Sequence, residues 1–202
     1  MIKLETVYFE EGGEGHTDET LKAALNSAEN LGIEKIIVAS TSGSTGVRAA
    51  ELYKDSKVQL IVVGHQMGFP VPGVQRFSTE NWEKIEELGG VVNLGTDVLT
   101  NSIRQRQKLG NSPLSILTQA YSAMKVKVNV EIVAKACDAG LVKQGEMVIS
   151  IAGSHKGADT AVAFKAADSP SILDIKPLYY IVLHLSREKA DAEYMAQRQQ
   201  SE

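Results

Sequence analysis

The sequence predicts a single α/β domain built on a mostly parallel, helix-covered sheet, with an antiparallel hairpin near the C-terminus. Short apolar runs alternate with segments of helical periodicity, and this order favours parallel strands joined by crossover helices. The apolar runs are continuous, which is typical of strands buried on both faces. Two late runs, 147–152 and 160–165, flank a glycine-rich segment and predict the hairpin.

Composition narrows the class of protein. The chain has 202 residues, of which 43 % are hydrophobic and 23 % charged, as in ordinary globular domains. No apolar run is long enough to span a bilayer, and the N-terminus lacks the apolar core of a signal peptide. Cys137 is the single cysteine, so an intrachain disulfide is excluded. We therefore expect a cytoplasmic protein, with residues 1–202 forming one domain and 187–202 a frayed helical tail.

The net charge of the chain indicates which kinds of partner it can bind. The net charge is −4, and no basic block appears that would indicate a nucleic-acid surface. We expect a small phosphorylated ligand, no nucleic acid and no membrane contact, and we leave homo-oligomer formation open.

The individual elements follow from periodicity and end signals. Apolar runs predict strands at 7–9, 36–39, 58–63, 91–94, 147–152, 160–165 and 179–185. Helical spacing predicts helices over 17–31, 47–53 and 79–88, and helices only from about 101 to 141. Thr17 is expected to cap the first helix and Gly32 to end it. The alternation at 126–130 leaves a short strand open as an alternative there.

One helix of the middle third is expected to be amphipathic. Val130, Val133 and Cys137 lie on one apolar stripe, whereas Glu131 and Lys135 lie on the opposite, polar face. For Glu131 the sequence predicts a carboxylate that is either solvated or structurally paired, and for Cys137 a packed, unreactive thiol.

Small hydroxyl residues and glycines follow the strand at 36–39. They are Thr41, Ser42, Gly43, Ser44 and Thr45, and a helix begins directly after them. Backbone N–H groups and hydroxyls at a helix N-terminus favour an anion, most often a phosphate. The alternative is an ordinary polar loop in which one hydroxyl caps the helix. A P-loop is excluded because no Gly-Lys-Ser/Thr ending is present.

Two further loops are expected at the same edge of the sheet, where parallel strands end. The first contains His65, Gln66, Met67, Phe69 and Gly73, whose side chains could line a flat heterocycle or instead pack into the core. The second is the glycine-rich loop of the hairpin, with Gly153, Ser154, His155, Lys156, Gly157, Asp159 and Thr160.

The second loop has a ligand interpretation and a structural one. Glycine permits close backbone approach, Lys156 can meet a phosphate charge, and Asp159 or Thr160 can bond a sugar hydroxyl. The alternative is a plain hairpin turn with a surface lysine. His65 and His155 could meet in space as acid/base groups. Asp97 is more simply a helix cap.

These motifs together resemble the C-terminal domain of pyruvate kinase, in which a Thr-x-Ser-Gly-x-Ser/Thr loop and a glycine-rich turn hold an effector. The matching loop here is Thr41–Thr45, and the matching turn is Gly153–Thr160. The chain is still more similar to a stand-alone pyruvate kinase C-terminal-domain-like family of archaea and bacteria. That resemblance rests on 8–10, 38–43, 65–69 with 72–73, 130–132 with 138–141, and 157–161.

The resemblance implies FMN as the cofactor, with its phosphate on Ser42–Thr45 and its ring between the loops at 65–73 and 153–160. It implies no pyruvate kinase activity, because that chemistry belongs to a barrel domain that this chain is too short to contain. A redox role is left open, since a flavin carries its own chemistry. Two alternatives stand beside it: a sensor or carrier of a phosphorylated metabolite, and an enzyme acting on a sugar phosphate or nucleotide.

Overall fold

A computed structural model describes residues 3–99, 112–188, 191–192 and 195–196. In chain order its strands are β1 (Val7–Glu11), β2 (Lys35–Ala39), β3 (Gln59–Gly64), β4 (Val91–Leu94), β5 (Met147–Ala152), β6 (Thr160–Lys165) and β7 (Lys176–Ser186). Its α-helices are α1 (Thr17–Leu31), α2 (Ser44–Tyr53), α3 (Thr79–Glu87), α4 (Pro113–Ala123) and α5 (Lys127–Asp138). Two short 3-10 helices, Glu14–His16 and Ser169–Asp174, complete the described elements.

The strands form one sheet in the order β1-β7-β6-β5-β2-β3-β4. Within the described chain, β6 alone runs against the other strands, because it pairs antiparallel with both β5 and β7. The pairs β2–β3, β2–β5, β3–β4 and β1–β7 are parallel. The predicted fold class is therefore confirmed, including the hairpin of β5 and β6.

Helices cover both faces of the sheet. Residues of α1, α2 and α3 pack with Ile36, Val38 and Val62 in a first core on one face. Residues of α4 and α5 pack with Ile37 and Ile61 in a second core on the other. Successive side chains of β2 thus enter opposite cores, which explains why its sequence is continuously apolar.

Helix α5 is buried all round, contrary to the predicted amphipathic pattern. Every residue from Asn129 to Ala136 is buried, including Glu131 and Lys135. The expected polar face is wrong because α4 and the segment after β4 cover it, and Glu131 accepts a hydrogen bond from the Leu99 amide there. The same helix rules out the alternative strand at 126–130.

Thr17 has a different role from the predicted helix cap. Its hydroxyl donates to the Glu14 carbonyl (2.6 Å) and accepts from the Ala158 amide (3.1 Å), while His16 occupies the cap position without a side-chain bond. Thr17 therefore fastens the β5–β6 loop to the start of α1. Gly32 does end α1 with a left-handed backbone, as predicted, and Ser78 caps α3 through the Asn81 amide.

Gly157 is required by this attachment. Its φ is +68°, and an added Cβ would lie 2.8 Å from Glu14 Cα and against the Thr17 hydroxyl. We expect Gly157→Ala to cost about 3 kcal/mol or more, since left-handed strain adds to overpacking. Gly32→Ala is the matched control because its φ is +66° with nothing within 4 Å of the new Cβ, and it should cost about 1 kcal/mol. Urea unfolding of both variants measures the difference, and equal costs would contradict the close packing.

Candidate functional site

The parallel strands bring three predicted loops to one edge of the sheet. Strand β2 lies between β5 and β3, so the loop after β2 lies between the β5–β6 loop and the loop after β3. Neighbouring strands are about 5 Å apart, so the two outer loops are separated by about 10 Å at their bases. The arrangement of the three predicted segments around one edge is therefore as the sequence indicated.

The loop after β2 presents exposed hydroxyls at the N-terminus of α2. Ser40 is buried, and its hydroxyl accepts from the Gly46 amide (3.3 Å), which supplies the cap. Ser42 and Ser44 are exposed, and their hydroxyls lie 3.1 Å apart. Among the described residues the Thr45 amide has no hydrogen-bond partner. One hydroxyl therefore satisfies the helix, and the others face solvent beside an unpaired N–H group.

This loop is fixed from outside by α3. The Ser42 carbonyl accepts from the Ser78 amide (3.1 Å) and from the Asn81 side-chain amide (2.9 Å). Gly43 has φ +96°, and a Cβ there would lie 2.5 Å from Asn81 Cβ and 2.9 Å from a ring carbon of Phe77. The conformation is thus set by tertiary contacts before any ligand binds, which lowers the ordering cost of binding.

A polar network lies at the ends of β3 and β4. His65 Nδ1 lies 2.7 Å from Asp97 Oδ2, and Lys135 Nζ lies 2.8 Å from Asp97 Oδ1. Lys135 also donates to the Gly64 carbonyl (2.6 Å), and the Asp97 amide donates to Gln66 Oε1 (3.1 Å). The Asp97 and Lys135 side chains are 2 % and 3 % exposed, whereas His65 is 31 % exposed.

Opposing effects set the charge of Asp97. Burial raises the pKa of its carboxyl, but hydrogen bonds from His65 and Lys135 and the lysine charge outweigh burial and hold the pKa below its usual value. Because the charged carboxylate can only accept, Nδ1 of a neutral His65 carries the proton and Nε2 carries the lone pair. The prediction that Asp97 simply caps a helix missed this network.

The loop after β3 also covers one face of the His65 imidazole. The Phe69 ring stacks on His65 with centroids 4.1 Å apart and planes 25° apart. Met67 is 62 % exposed, and Gly73 is also exposed. Met67 therefore does not pack into the core, which was one of the two interpretations of this loop.

Internal bonds hold the β5–β6 loop. Asp159 is 1 % exposed, and its Oδ2 accepts from the amides of Gly13 (2.8 Å) and Ser154 (3.0 Å). Its Oδ1 accepts from the Thr160 hydroxyl (3.1 Å). Both side chains proposed to bond a sugar hydroxyl are thus already bonded within the loop or, for Asp159, also to the Gly13 amide. His155 and Lys156 are exposed at the tip.

The two histidines proposed to meet have different partners. His65 bonds Asp97, whereas His155 Nε2 lies 2.7 Å from Asp191 Oδ1 beyond the end of β7. The expectation of a joint His65–His155 centre is not supported by these contacts, because each ring is directed to its own carboxylate.

A small pocket of about 100 Å³ opens where β5, β6 and β7 meet the start of α5. Four predicted residues line it, namely Gly153, Ser154, Asp159 and Thr160. Sequence reasoning missed the other side, which includes Lys125, Lys127, Asn129, His184 and Arg187. No motif marks these residues, since β7 and the α4–α5 turn are far from the glycine loop in the sequence.

The charge and size of this pocket limit its occupant. The pocket is lined by three cationic side chains, those of Lys125, Lys127 and Arg187, against one carboxylate, that of Asp159. Together with the N-terminus of α5 this excess of positive charge favours an anion. Burial lowers the pKa of His184, so that ring adds no charge at neutral pH. Pockets that bury drug-sized ligands have volumes of about 300–1,000 Å³. This pocket of about 100 Å³ is therefore closer in size to a phosphate group than to a flavin ring.

Three further features bear on function, namely the cysteine, possible metal ligands and possible membrane-spanning helices. Burial, with nearby carboxylates, raises the pKa of the Cys137 thiol to about 12, as expected for a packed cysteine. Across the described residues no cluster of histidine, cysteine, aspartate and glutamate could hold a metal ion. None of the described helices is both long and apolar enough to cross a bilayer.

The Asp97–Lys135 pair makes a testable contribution to stability. A carboxyl with a lowered folded-state pKa stabilises the fold above its unfolded pKa of about 4, and this contribution is lost as the pH falls through the folded value. At pH 7, Asp97→Asn should cost about 3–5 kcal/mol because Lys135 stays buried without its counter-ion.

The difference between wild type and Asp97→Asn should shrink as the pH falls below about 4, because the unfolded wild type then binds a proton that the folded carboxylate resists. Urea unfolding at each pH measures it. Asp191→Asn is the control, because this exposed carboxylate beside His155 should cost within about 1 kcal/mol at pH 7. A difference for Asp97→Asn that stays constant down to pH 2 would contradict the ionised pair.

The chain is similar to solved structures of pyruvate kinase at low sequence identity. Two crystal structures of pyruvate kinase from Cryptosporidium parvum match, with 12 % identity and a TM-score of 0.39, and with 11 % identity and a TM-score of 0.34. The matches cover 73 % and 67 % of this chain. They cover 22 % and 20 % of the pyruvate kinases, so the chain corresponds to about a fifth of those proteins.

Residues 18–163 of the 202 match the protein-family model described as the pyruvate kinase alpha/beta domain. The match runs from α1 through the loop after β2 and the His65 network to β6, so it includes every loop considered above except the ends of β1 and β7. The chain belongs to the pyruvate kinase alpha/beta domain family.

Proposed function

We propose that this protein binds a phosphorylated small molecule at the carboxyl edge of its sheet, with FMN as the ligand. The supporting observation is the loop after β2, where Ser42 and Ser44 are exposed beside the unpaired Thr45 amide at the start of α2. A ten-residue helix presents a partial positive charge there, which favours a phosphate. We also propose that the protein is cytoplasmic, as its composition suggests.

The neighbouring loop suits a flat ring. His65 and Phe69 already stack, and exposed Met67 lies two residues from each along the chain. Methionine and aromatic side chains pack well on heterocycles, and Gln66 belongs to the same loop. When bound, FMN would supply hydride and electron transfer, while the protein would contribute placement and electrostatics.

Ring contact with the β5–β6 loop has weaker support. Asp159 and Thr160 are tied to each other and to the Gly13 and Ser154 amides. At the tip of this loop Lys156 is exposed, whereas His155 lies 2.7 Å from the Asp191 carboxylate. We therefore expect the flavin ring to lie mainly against the loop after β3, with the tip of the β5–β6 loop beside it.

The first test is the absorbance spectrum of the purified full chain and mass spectrometry of the small molecule that denaturation releases. Flavin bands and released FMN are the expected result. A protein that is colourless, and that stays empty after incubation with FMN, would remove FMN and leave another phosphorylated metabolite as the ligand.

A matched pair of variants tests the phosphate position. Ser44→Asp places a carboxylate on the first turn of α2, where it favours the helix but repels a phosphate. We expect FMN affinity to fall about tenfold or more, which is about 1.4 kcal/mol, with no loss of thermal stability. Ser44→Asn, which is similar in shape and uncharged, should keep most of the affinity. Gly43→Asp is unsuitable, because its Cβ would collide with Asn81 and Phe77.

The cationic pocket beside α5 provides the competing location. Lys127→Gln removes one of its charges, and FMN affinity should change by less than about threefold if the phosphate lies on Ser42–Thr45. A large loss in Lys127→Gln together with full binding by Ser44→Asp would move the phosphate to the pocket and overturn the proposed position. Isothermal titration with FMN measures both variants.

A further inference from the structure

We propose that the β1 edge of the sheet is a self-association surface, at which β1 pairs antiparallel with β1 of a second copy of this chain about a twofold axis beside Val7. The proposal is independent of FMN and of the loops at the carboxyl edge of the sheet. It rests on the backbone groups, the charges and the exposed side chains of residues 3–11.

Strand β1 has one paired edge and one open edge. Among the described residues its neighbour is β7 alone, at the end of the sheet. The Gly12 amide donates to the Ser186 carbonyl (2.8 Å). Because alternate residues of a strand bond the same neighbour, the even-numbered residues bond β7, and the backbone groups of Val7, Phe9 and Glu11 point away from it. Such a row of outward N–H and C=O groups is a template for a further strand.

Two charges at the ends of this segment have no partner within one copy. Glu11 is partly exposed, and its Oε2 is buried without a hydrogen-bond partner among the described residues. Burial of an unpaired carboxylate oxygen costs free energy unless a donor or a cation reaches it. Lys3 is exposed and forms no ion pair with a described carboxylate. A cation that comes from outside the chain can therefore satisfy Glu11.

An antiparallel pair centred on Val7 brings these two charges together. Residues equally far before and after Val7 then lie opposite each other, so Lys3 faces Glu11 of the second copy, and the twofold axis repeats the pair. Both positions are odd-numbered, so the two side chains lie on the same face of the sheet. Thr6 already continues the strand beside β7, because its hydroxyl donates to the Tyr180 carbonyl (2.7 Å).

Neighbouring registers lack this match. An axis beside Tyr8 would set Glu5 opposite Glu11 of the second copy, and like charges directly opposite are destabilising. An axis beside Phe9 would set Val7 opposite Glu11 and leave the carboxylate unpaired. Charge complementarity therefore selects the register centred on Val7.

The other face of the same segment supplies apolar contact. Leu4 and Tyr8 are 47 % and 56 % exposed, and both occupy even-numbered positions, opposite the face of buried Phe9. In the Val7 register Tyr8 lies opposite Thr6 of the second copy and diagonal to its Leu4 and Tyr8, within reach of an aromatic side chain. One segment thus satisfies backbone, charge and apolar contacts with its own copy, as an isologous interface requires.

The test measures the monomer–dimer equilibrium of the full chain by analytical ultracentrifugation over a range of concentrations. Wild type should form dimers, and Lys3→Glu and Glu11→Lys should each weaken the dimer about tenfold or more, because two ion pairs become two like-charge contacts. The double variant Lys3→Glu/Glu11→Lys restores opposite charges and should return to within about threefold of wild type. Lys22→Glu is the matched control, because it changes the net charge equally at an exposed position of α1 and should leave the dimer unchanged.

Amide hydrogen exchange of the same proteins locates the surface. The amides of Val7, Phe9 and Glu11 should be protected where wild type is dimeric and exchange faster in Lys3→Glu at the same concentration. A wild type that stays monomeric, or a dimer that Lys3→Glu weakens no more than Lys22→Glu does, would overturn the proposal. Protection of these amides in a monomer would also overturn it, since another segment of the same chain would then cover the edge. Exposed Lys3 decides the matter even if Glu11→Lys fails to fold.

Discussion

Burial of the sheet on both faces is the constraint on which the rest of the molecule depends. Ile36 and Val38 face one core while Ile37 faces the other, so every position in the middle of β2 is buried and apolar. Such strands need helices on both sides, and crossover helices keep the strands parallel. The candidate ligand-binding groups therefore lie at strand ends, and because most of the strands are parallel, most of these ends share one edge of the sheet.

The second organising interaction is the ion pair of Asp97 and Lys135. Burying two charges is costly, and the cost is met only when both find close partners. Here the lysine bonds the carboxylate and the Gly64 carbonyl, while the second carboxylate oxygen bonds His65. The pair consequently links the end of β3, the end of β4 and α5, and it holds Nδ1 of His65 against the Asp97 carboxylate.

The glycine-rich β5–β6 loop shows that one composition can serve two purposes. Glycines allow close approach of backbone to a ligand or to another part of the chain. At Gly157 the neighbours are Glu14 and Thr17, and Asp159 is bonded to Gly13. This loop is explained by packing against the start of α1, whereas the loop after β2 keeps hydroxyls and an amide that the helix does not need.

The sequence by itself determined the strands, most helices, the fold class and the three loops at one edge, because periodicity and end signals are local. It also identified His65, Ser42 and Ser44 as residues at that edge. Tertiary structure alone decided what Asp97, Lys135 and Thr17 bond, since their partners are 32, 38 and 141 positions away. Tertiary structure also buried the predicted polar face of α5. The sequence could not predict this burial, because helical periodicity indicates one buried face and carries no information about a second covering layer.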